Sequence, residues 1–157
     1  MPPKPLVDFD QIDLGQAVET KEGIRKYNPQ RYEFEQLDGI IHYDPEEQCV
    51  VGYKDVSEDE FWVRGHIPGR PLMPGVLMCE AAAQLCSYYF KRTIEIDRFV
   101  GFGGLDKVKF RAPVEPGCRL ILVAKVKKIG RRRCILDCQG FVEDRMVFQG
   151  VVTGVAM

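Results

Sequence analysis

Residues 76–90 are almost entirely apolar, which predicts a helix enclosed by the rest of the fold. Three polar side chains interrupt the run at positions i, i+4 and i+7, and so share one stripe of a helix: Glu80, Gln84 and Ser87. Pro74 suits the first helical turn, and Lys91 and Arg92 suit the negative end of the helix dipole. The pattern predicts one long central helix over about residues 74–91.

Alternating apolar and polar residues predict antiparallel strands before and after this helix. The predicted strands cover about residues 38–43, 49–56, 105–110, 119–127, 133–142 and 146–155. One buried helix among such strands predicts an α+β fold in which a curved antiparallel sheet wraps around the helix. A half-wrapped sheet leaves edges and apolar surface exposed, so we expect a dimer.

The 157-residue length fits one domain, which we expect over residues 23–157. Residues 1–22 are proline-rich and then charged, and they predict an N-terminal extension that drapes over the domain or is partly disordered. The net charge of −1 gives no overall attraction to nucleic acid or to an anionic membrane. The chain has no apolar run long enough to cross a bilayer and no signal-peptide core, so we expect a cytoplasmic protein without membrane insertion.

Six cysteines are present, but none forms a CxxC pair, and only two histidines are available to complete a zinc site. We therefore expect no metal centre. The cysteines are interpreted as small buried hydrophobic residues in a reducing compartment.

His66 lies in a stretch rich in glycine and proline, residues 65–73, which predicts a stiff, irregular loop before the helix. A histidine there either ties the loop together by hydrogen bonds or acts as an acid or base near neutral pH. His42 falls in a predicted strand, and we expect a structural role for it.

Glu80 is the only carboxylate on the apolar helix. Its stripe either faces solvent or leaves the carboxylate poorly solvated. In the second case the acid must be hydrogen-bonded or keep its proton, and both states serve acid–base catalysis. Gln84, one turn later, is spaced to hydrogen-bond and orient it.

Three segments together resemble the beta-hydroxyacyl carrier-protein dehydratases of the hot-dog fold. They are GHIPGRPLMPGVLMCEAAAQ at residues 65–84, RYEF at 31–34 and GLDKVKFRAPVEPG at 104–117. They occur in the family's order, and the resemblance covers roughly residues 24–157.

The resemblance implies that His66 is the catalytic histidine and Glu80 the catalytic acid, contributed by different subunits of a dimer. It also implies that the backbone N–H of Gly75 polarises the thioester carbonyl. The substrate would arrive on the phosphopantetheine arm of acyl carrier protein, with no further cofactor, and the dimers would stand alone or associate into hexamers.

The function implied is dehydration of (3R)-hydroxyacyl-acyl carrier protein to the trans-2-enoyl product in fatty acid biosynthesis. Two alternatives remain open from the residues alone. One is a hot-dog thioesterase in which Glu80 activates water, and the other is a non-catalytic acyl-thioester-binding subunit.

A basic cluster lies near one predicted turn between strands: Lys125, Lys127, Lys128, Arg131, Arg132 and Arg133. Because it lacks interleaved aromatic residues, we do not expect nucleic-acid binding. The cluster is either a solvated hairpin or a docking surface for the acidic carrier protein. Arg64 and Arg70, beside His66, are equally suited to contact the carrier or the phosphopantetheine.

Overall fold

One seven-stranded antiparallel sheet and one long helix form the fold in the computed structural model, which describes residues 2–157. The strands are β1 (Glu19–Thr20), β2 (Gly39–Asp44), β3 (Cys49–Val56), β4 (Val100–Phe110), β5 (Cys118–Ile129), β6 (Arg133–Val142) and β7 (Arg145–Ala156). The helices are α1 (Lys21–Arg25) and α2 (Gly75–Ile94), with 3-10 turns at Phe9–Gln11 and Tyr32–Phe34. Neighbouring strands follow the order β1-β2-β3-β5-β6-β7-β4. The predicted α+β hot-dog fold, a curved antiparallel sheet around one central helix, is confirmed.

The strands β3 and β6 begin and end where the pattern predicted, and β5 and β7 extend one or two residues further at each end. The helix α2 and the strand β4 differ more from their predicted bounds. The helix α2 continues to Ile94 and ends where Glu95 adopts a left-handed conformation, with φ of 55°. The strand β4 begins at Val100, five residues before the predicted start at Leu105, because its glycine-rich half still pairs with β7. An added Cβ at Gly103 would lie 2.5 Å from Cγ2 of Val155, so that pairing favours glycine.

The main core lies between α2 and the inner face of the sheet. Leu85, Tyr89 and Phe90 of the helix are fully buried there. Gly52 of β3 lets the helix approach closely, since a Cβ at this position would lie 3.0 Å from Cδ1 of Leu85. Each fully buried side chain of this size stabilises the fold by roughly 1.5–3 kcal/mol, so this contact layer holds α2 in place.

A second, smaller core covers the outer face of the sheet. Six strand residues are buried there: Ile41, Val51, Ile121, Val123, Phe141 and Met146. Apolar side chains of the N-terminal segment pack over them: Leu6, Val7, Phe9, Ile12 and Leu14. The side-chain amide of Gln139 fixes this segment, because its Oε1 accepts from the N–H of Leu6 at 2.9 Å and its Nε2 donates to the carbonyl of Lys4 at 2.9 Å.

The strand β4 forms one edge of the sheet and pairs only with β7 among the described residues 2–157. Its aromatic residues Phe102 and Phe110 are 48% and 51% exposed. Leu105 of the same strand is also exposed. An open strand edge with large apolar side chains is a surface on which a second chain can pair.

A buried ion pair fixes the start of the loop that joins β3 to α2. Nζ of Lys54 lies 3.1 Å from Oε1 of Glu60, and their side chains are only 8% and 11% exposed. Oε2 of Glu60 also accepts from the backbone N–H and the hydroxyl of Ser57, at 3.0 and 3.2 Å. The carboxylate of Glu60 therefore ties the loop to the inner face of β3.

No helix within residues 2–157 has both the length and the hydropathy needed to span a bilayer.

Replacing Phe9 by alanine tests the packing of the N-terminal segment. The ring of Phe9 meets that of Phe141 edge to face, with centroids 5.1 Å apart. Because the ring is only partly buried, we expect a loss of about 2 kcal/mol in the free energy of unfolding, measured by urea denaturation at fixed protein concentration. The exposed Phe34→Ala variant is the control and should change it by less than about 0.5 kcal/mol. Equal losses in the two variants would contradict this packing.

The ion pair of Lys54 can be tested against an exposed pair on the same strand. Lys54→Met leaves Glu60 without its cation in a buried position, and we expect a loss of about 3 kcal/mol in the free energy of unfolding. Oδ1 of Asp55 lies 2.7 Å from Nε of Arg119, and both side chains are exposed. Asp55→Ala should therefore lower the free energy of unfolding by no more than about 1 kcal/mol. A Lys54→Met variant as stable as wild type would show that this pair does not anchor the loop.

Candidate active site

His66 lies on the exposed loop between β3 and α2, and a buried tryptophan anchors its backbone. The N–H of His66 donates to the carbonyl of Trp62 at 2.9 Å, and Trp62 belongs to the main core. With the buried pair of Lys54 and Glu60 a few residues earlier, the loop is held at two points. An exposed side chain therefore rests on an anchored backbone.

A single hydrogen bond defines which ring nitrogen of His66 is available as a base. Nδ1 lies 2.7 Å from the carbonyl oxygen of Leu72. A carbonyl oxygen only accepts hydrogen bonds, so Nδ1 carries the proton and donates it. In the neutral imidazole, Nε2 then has a free lone pair that can take up a proton.

Glu80 and Gln84 form the other half of the candidate site, on α2. Nε2 of Gln84 donates to Oε2 of Glu80 at 2.8 Å, the contact that their spacing of four residues predicted. The same nitrogen donates to the carbonyl of Phe34 at 2.8 Å, and Oε1 of Gln84 accepts from the N–H of Gln36 at 2.9 Å. Gln84 thereby connects the carboxylate to the chain before β2.

Burial raises the pKa of Glu80, and the hydrogen bond from Gln84 opposes this rise only in part. The polar stripe of α2 is thus not a solvent-facing surface, since Gln84 is buried and Glu80 is partly buried. A carboxyl group in this state holds its proton to a higher pH than an exposed one and can donate it to a substrate.

A cavity of about 150 Å³ lies beside Glu80, between α2 and the sheet. The polar residues of its wall are Gln30, Glu80, Gln84, Ser87 and Thr153. Apolar residues and thiols complete the wall, among them Cys86, Val100, Phe102, Cys134 and Val152. A mostly apolar wall with a few polar groups suits a ligand that has one polar group on an aliphatic chain.

Gly75 begins α2 below the ring of Phe110. A Cβ at this position would lie 2.8 Å from Cζ of Phe110, so glycine allows the close approach of β4. No side chain caps this helix end, and within residues 2–157 the N–H groups of Gly75 and Val76 have no hydrogen-bond partner. Free N–H groups at a helix N-terminus can bind an oxygen that gains negative charge.

The two predicted catalytic side chains are not brought together in one chain. His66 is exposed and does not line the cavity of Glu80, and its side chain has one hydrogen bond among the described residues, to Leu72. Exposed apolar residues lie near both halves, on the His66 loop, at the start of α2 and on β4: Ile67, Val76, Phe102, Leu105 and Phe110.

The predicted carrier-contact residues are in two places. Arg64 and Arg70 are exposed on the loop of His66. The hairpin residues lie at the end of β5 and the start of β6, where Arg131, Arg132 and Arg133 are exposed. Nζ of Lys127 lies 3.9 Å from Oδ1 of Asp137. Lys125 is partly buried beside the N-terminal segment.

Sequence reasoning missed three residues that support the site. Lys54 and Glu60 form the buried pair below the loop, and Gln30 lines the cavity of Glu80. The inward parity of Lys54, two residues from Val56 on β3, is the only signal that could have identified a buried lysine.

Comparisons with known proteins match most of the sequence and the fold. The model of the FabA-like domain matches residues 28–151. The 3-hydroxyacyl-[acyl-carrier-protein] dehydratase FabZ of Desulfotalea psychrophila is 38% identical over 130 residues, which are 81% of this chain and 86% of that protein.

Solved structures share the fold at much lower identity. The dehydratase heterocomplex ApeI:P from Xenorhabdus doucetiae matches with a TM-score of 0.73 at 14% identity, over 85% of this chain and 90% of that one. A hypothetical thioesterase with coenzyme A from Streptococcus pneumoniae TIGR4 matches with a TM-score of 0.59 at 12% identity, over 75% and 84% of the two chains. The family model and the FabZ relative each span most of the sequence, and the chain belongs to the FabA-like domain family.

Proposed function

We propose that this protein is a hydro-lyase that dehydrates (3R)-hydroxyacyl-acyl carrier protein to trans-2-enoyl-acyl carrier protein in fatty acid biosynthesis. The observation that carries the proposal is the Glu80–Gln84 pair beside a cavity, in a chain 38% identical to a named dehydratase. The same fold occurs in the structure of a hypothetical thioesterase, so the fold alone does not distinguish the two reactions.

In the proposed mechanism, Nε2 of His66 removes a proton from the carbon next to the thioester carbonyl. The carboxyl group of Glu80 donates its proton to the β-hydroxyl, the carbon–oxygen bond breaks and water leaves. The negative charge that develops on the thioester oxygen is stabilised by the free N–H at Gly75. Acid–base steps account for the whole reaction, so we propose no cofactor beyond the phosphopantetheine arm of the substrate.

The site is proposed to form between two subunits. The open edge of β4, with its exposed Phe102, Leu105 and Phe110, supports pairing with a second copy. In a symmetric dimer the same surface is used twice, so His66 of each subunit would face Glu80 of the other. The proposed assembly is this dimer, alone or as a trimer of dimers.

The acyl carrier protein is the proposed partner that presents the substrate. Arg64 and Arg70 are exposed on the same loop as His66, which favours them over the hairpin for contact with an acidic carrier or its phosphate. The exposed arginines of the hairpin, Arg131 to Arg133, would add to long-range attraction of the carrier.

Heterodimers provide the test of the proposed reaction and of the shared site. His66→Ala and Glu80→Gln homodimers should each lose about 10³-fold in kcat for dehydration. A heterodimer of the two variants, isolated with two affinity tags, should recover about half of wild-type turnover, because one of its two sites keeps both residues.

The control is His42→Ala, which should keep wild-type turnover. A heterodimer as inactive as its parents would show that the pair does not form between subunits. Release of free thiol without formation of the enoyl product would instead identify a thioesterase.

The pH dependence of stability tests the raised pKa of Glu80. The folded protein keeps the Glu80 proton at pH values where the unfolded chain has lost it, so wild type loses stability as the pH rises through this window. Glu80→Gln does not titrate, and its stability relative to wild type should rise with pH from the ordinary carboxyl range upward and then level off. Urea unfolding at pH values from about 4 to 8 measures the difference. A difference that does not vary with pH would contradict the raised pKa, and Glu46→Gln on the surface is the control.

A further inference from the structure

One residue that lines the cavity beside Glu80 has a buried amide oxygen without a partner among the described residues. Oε1 of Gln30 is buried and, within residues 2–157, accepts no hydrogen bond. Gln30 lines the same cavity as Glu80. A buried acceptor without a donor costs free energy, so this oxygen favours a ligand or water that brings a hydroxyl group into the cavity.

The other amide beside Glu80 already has hydrogen-bond partners at both its oxygen and its nitrogen. Both groups of the Gln84 side chain are used, since Oε1 accepts from Gln36 and Nε2 donates to Phe34 and Glu80. Gln84 can therefore orient the carboxylate, while its Oε1 is already engaged by the backbone of Gln36. Within residues 2–157, Gln30 is the amide of the cavity wall whose buried oxygen accepts no hydrogen bond.

The chain around Gln30 is held against α2 on both sides. Nδ2 of Asn28, two residues earlier, donates to the carbonyl of Gln84 at 2.9 Å. The carbonyl of Phe34 and the N–H of Gln36 bind the side chain of the same Gln84. Pro29 further restricts the backbone directly before Gln30. These contacts fix the backbone of the segment that carries Gln30 at the cavity wall.

We propose that Gln30 binds the β-hydroxyl group of the substrate and orients it toward Glu80. This inference rests on the proposed dehydratase function. The hydroxyl donates its hydrogen to Oε1 of Gln30, which turns a lone pair of the hydroxyl oxygen toward the proton of Glu80. When the proton moves to this oxygen, the carbon–oxygen bond breaks and its electron pair leaves with the water. Gln30 then accepts from the water in the same position.

The test compares two unreactive ligands, acyl-pantetheine conjugates in which an amide replaces the thioester. One carries the (3R)-hydroxyl and the other is saturated at that carbon. Wild type should bind the hydroxyl ligand about tenfold more tightly, and Gln30→Leu should reduce the ratio to about one while binding the saturated ligand unchanged. Calorimetry measures both constants without turnover.

Gln16→Leu makes the same change at an exposed position and should keep the wild-type ratio. Gln30→Ala is the second variant if the leucine does not fit, and urea unfolding checks that each variant is folded. In the turnover assay, Gln30→Leu should lower kcat/KM about tenfold.

The results separate this inference from the proposed function. Two results overturn the role of Gln30, whether or not the enzyme turns over. In one, the preference for the hydroxyl ligand persists in both Gln30 variants. In the other, wild type shows no preference. In the remaining case the preference is lost in the Gln30 variants, but wild type forms no enoyl product. This result supports Gln30 as the hydroxyl-binding residue and rejects the dehydratase reaction.

Discussion

The buried side chain of Gln84 is the contact on which the rest of the site depends. It binds the carboxylate of Glu80 within α2 and two backbone groups of residues 34–36 outside it. A buried amide is stable only when its donors and acceptors are paired, so this residue fixes the helix and the preceding segment relative to each other. The shape of the cavity and the orientation of the acid follow from one set of hydrogen bonds.

The two halves of the site are prepared by different physical effects. On the loop, a backbone carbonyl selects the tautomer of His66, which leaves Nε2 free in an exposed position. On the helix, removal from water favours the protonated form of Glu80. A base needs access to its substrate, whereas an acid needs protection from solvent. The two groups are separate in one chain, so the proposed shared function requires that another surface covers the loop.

The sequence predicted the helices and strands that have a clear local pattern. It did not predict structure that depends on contacts with residues far along the chain. The helix α2 and the strands β3 and β6 follow from apolar runs and alternation. The first half of β4 escaped prediction because its glycines carry no pattern, and only pairing with β7 makes it a strand. The N-terminal segment covers Ile121 and Val123 on the outer face of β5. The alternation of apolar and polar residues predicted only one buried face for this strand, so it did not indicate this contact.

In the candidate site, too, the local contact was predictable from the sequence and the distant one was not. The spacing of Glu80 and Gln84 predicted their hydrogen bond, because both lie on one helix. Gln30 had no such signal, since its importance arises from an acceptor left unpaired after the fold is complete. The amide of Gln84 is hydrogen-bonded and, among the described residues, the amide oxygen of Gln30 is not, although both residues line one cavity. An unpaired buried acceptor costs stability, and in the proposed role of Gln30 a ligand in the cavity would offset that cost.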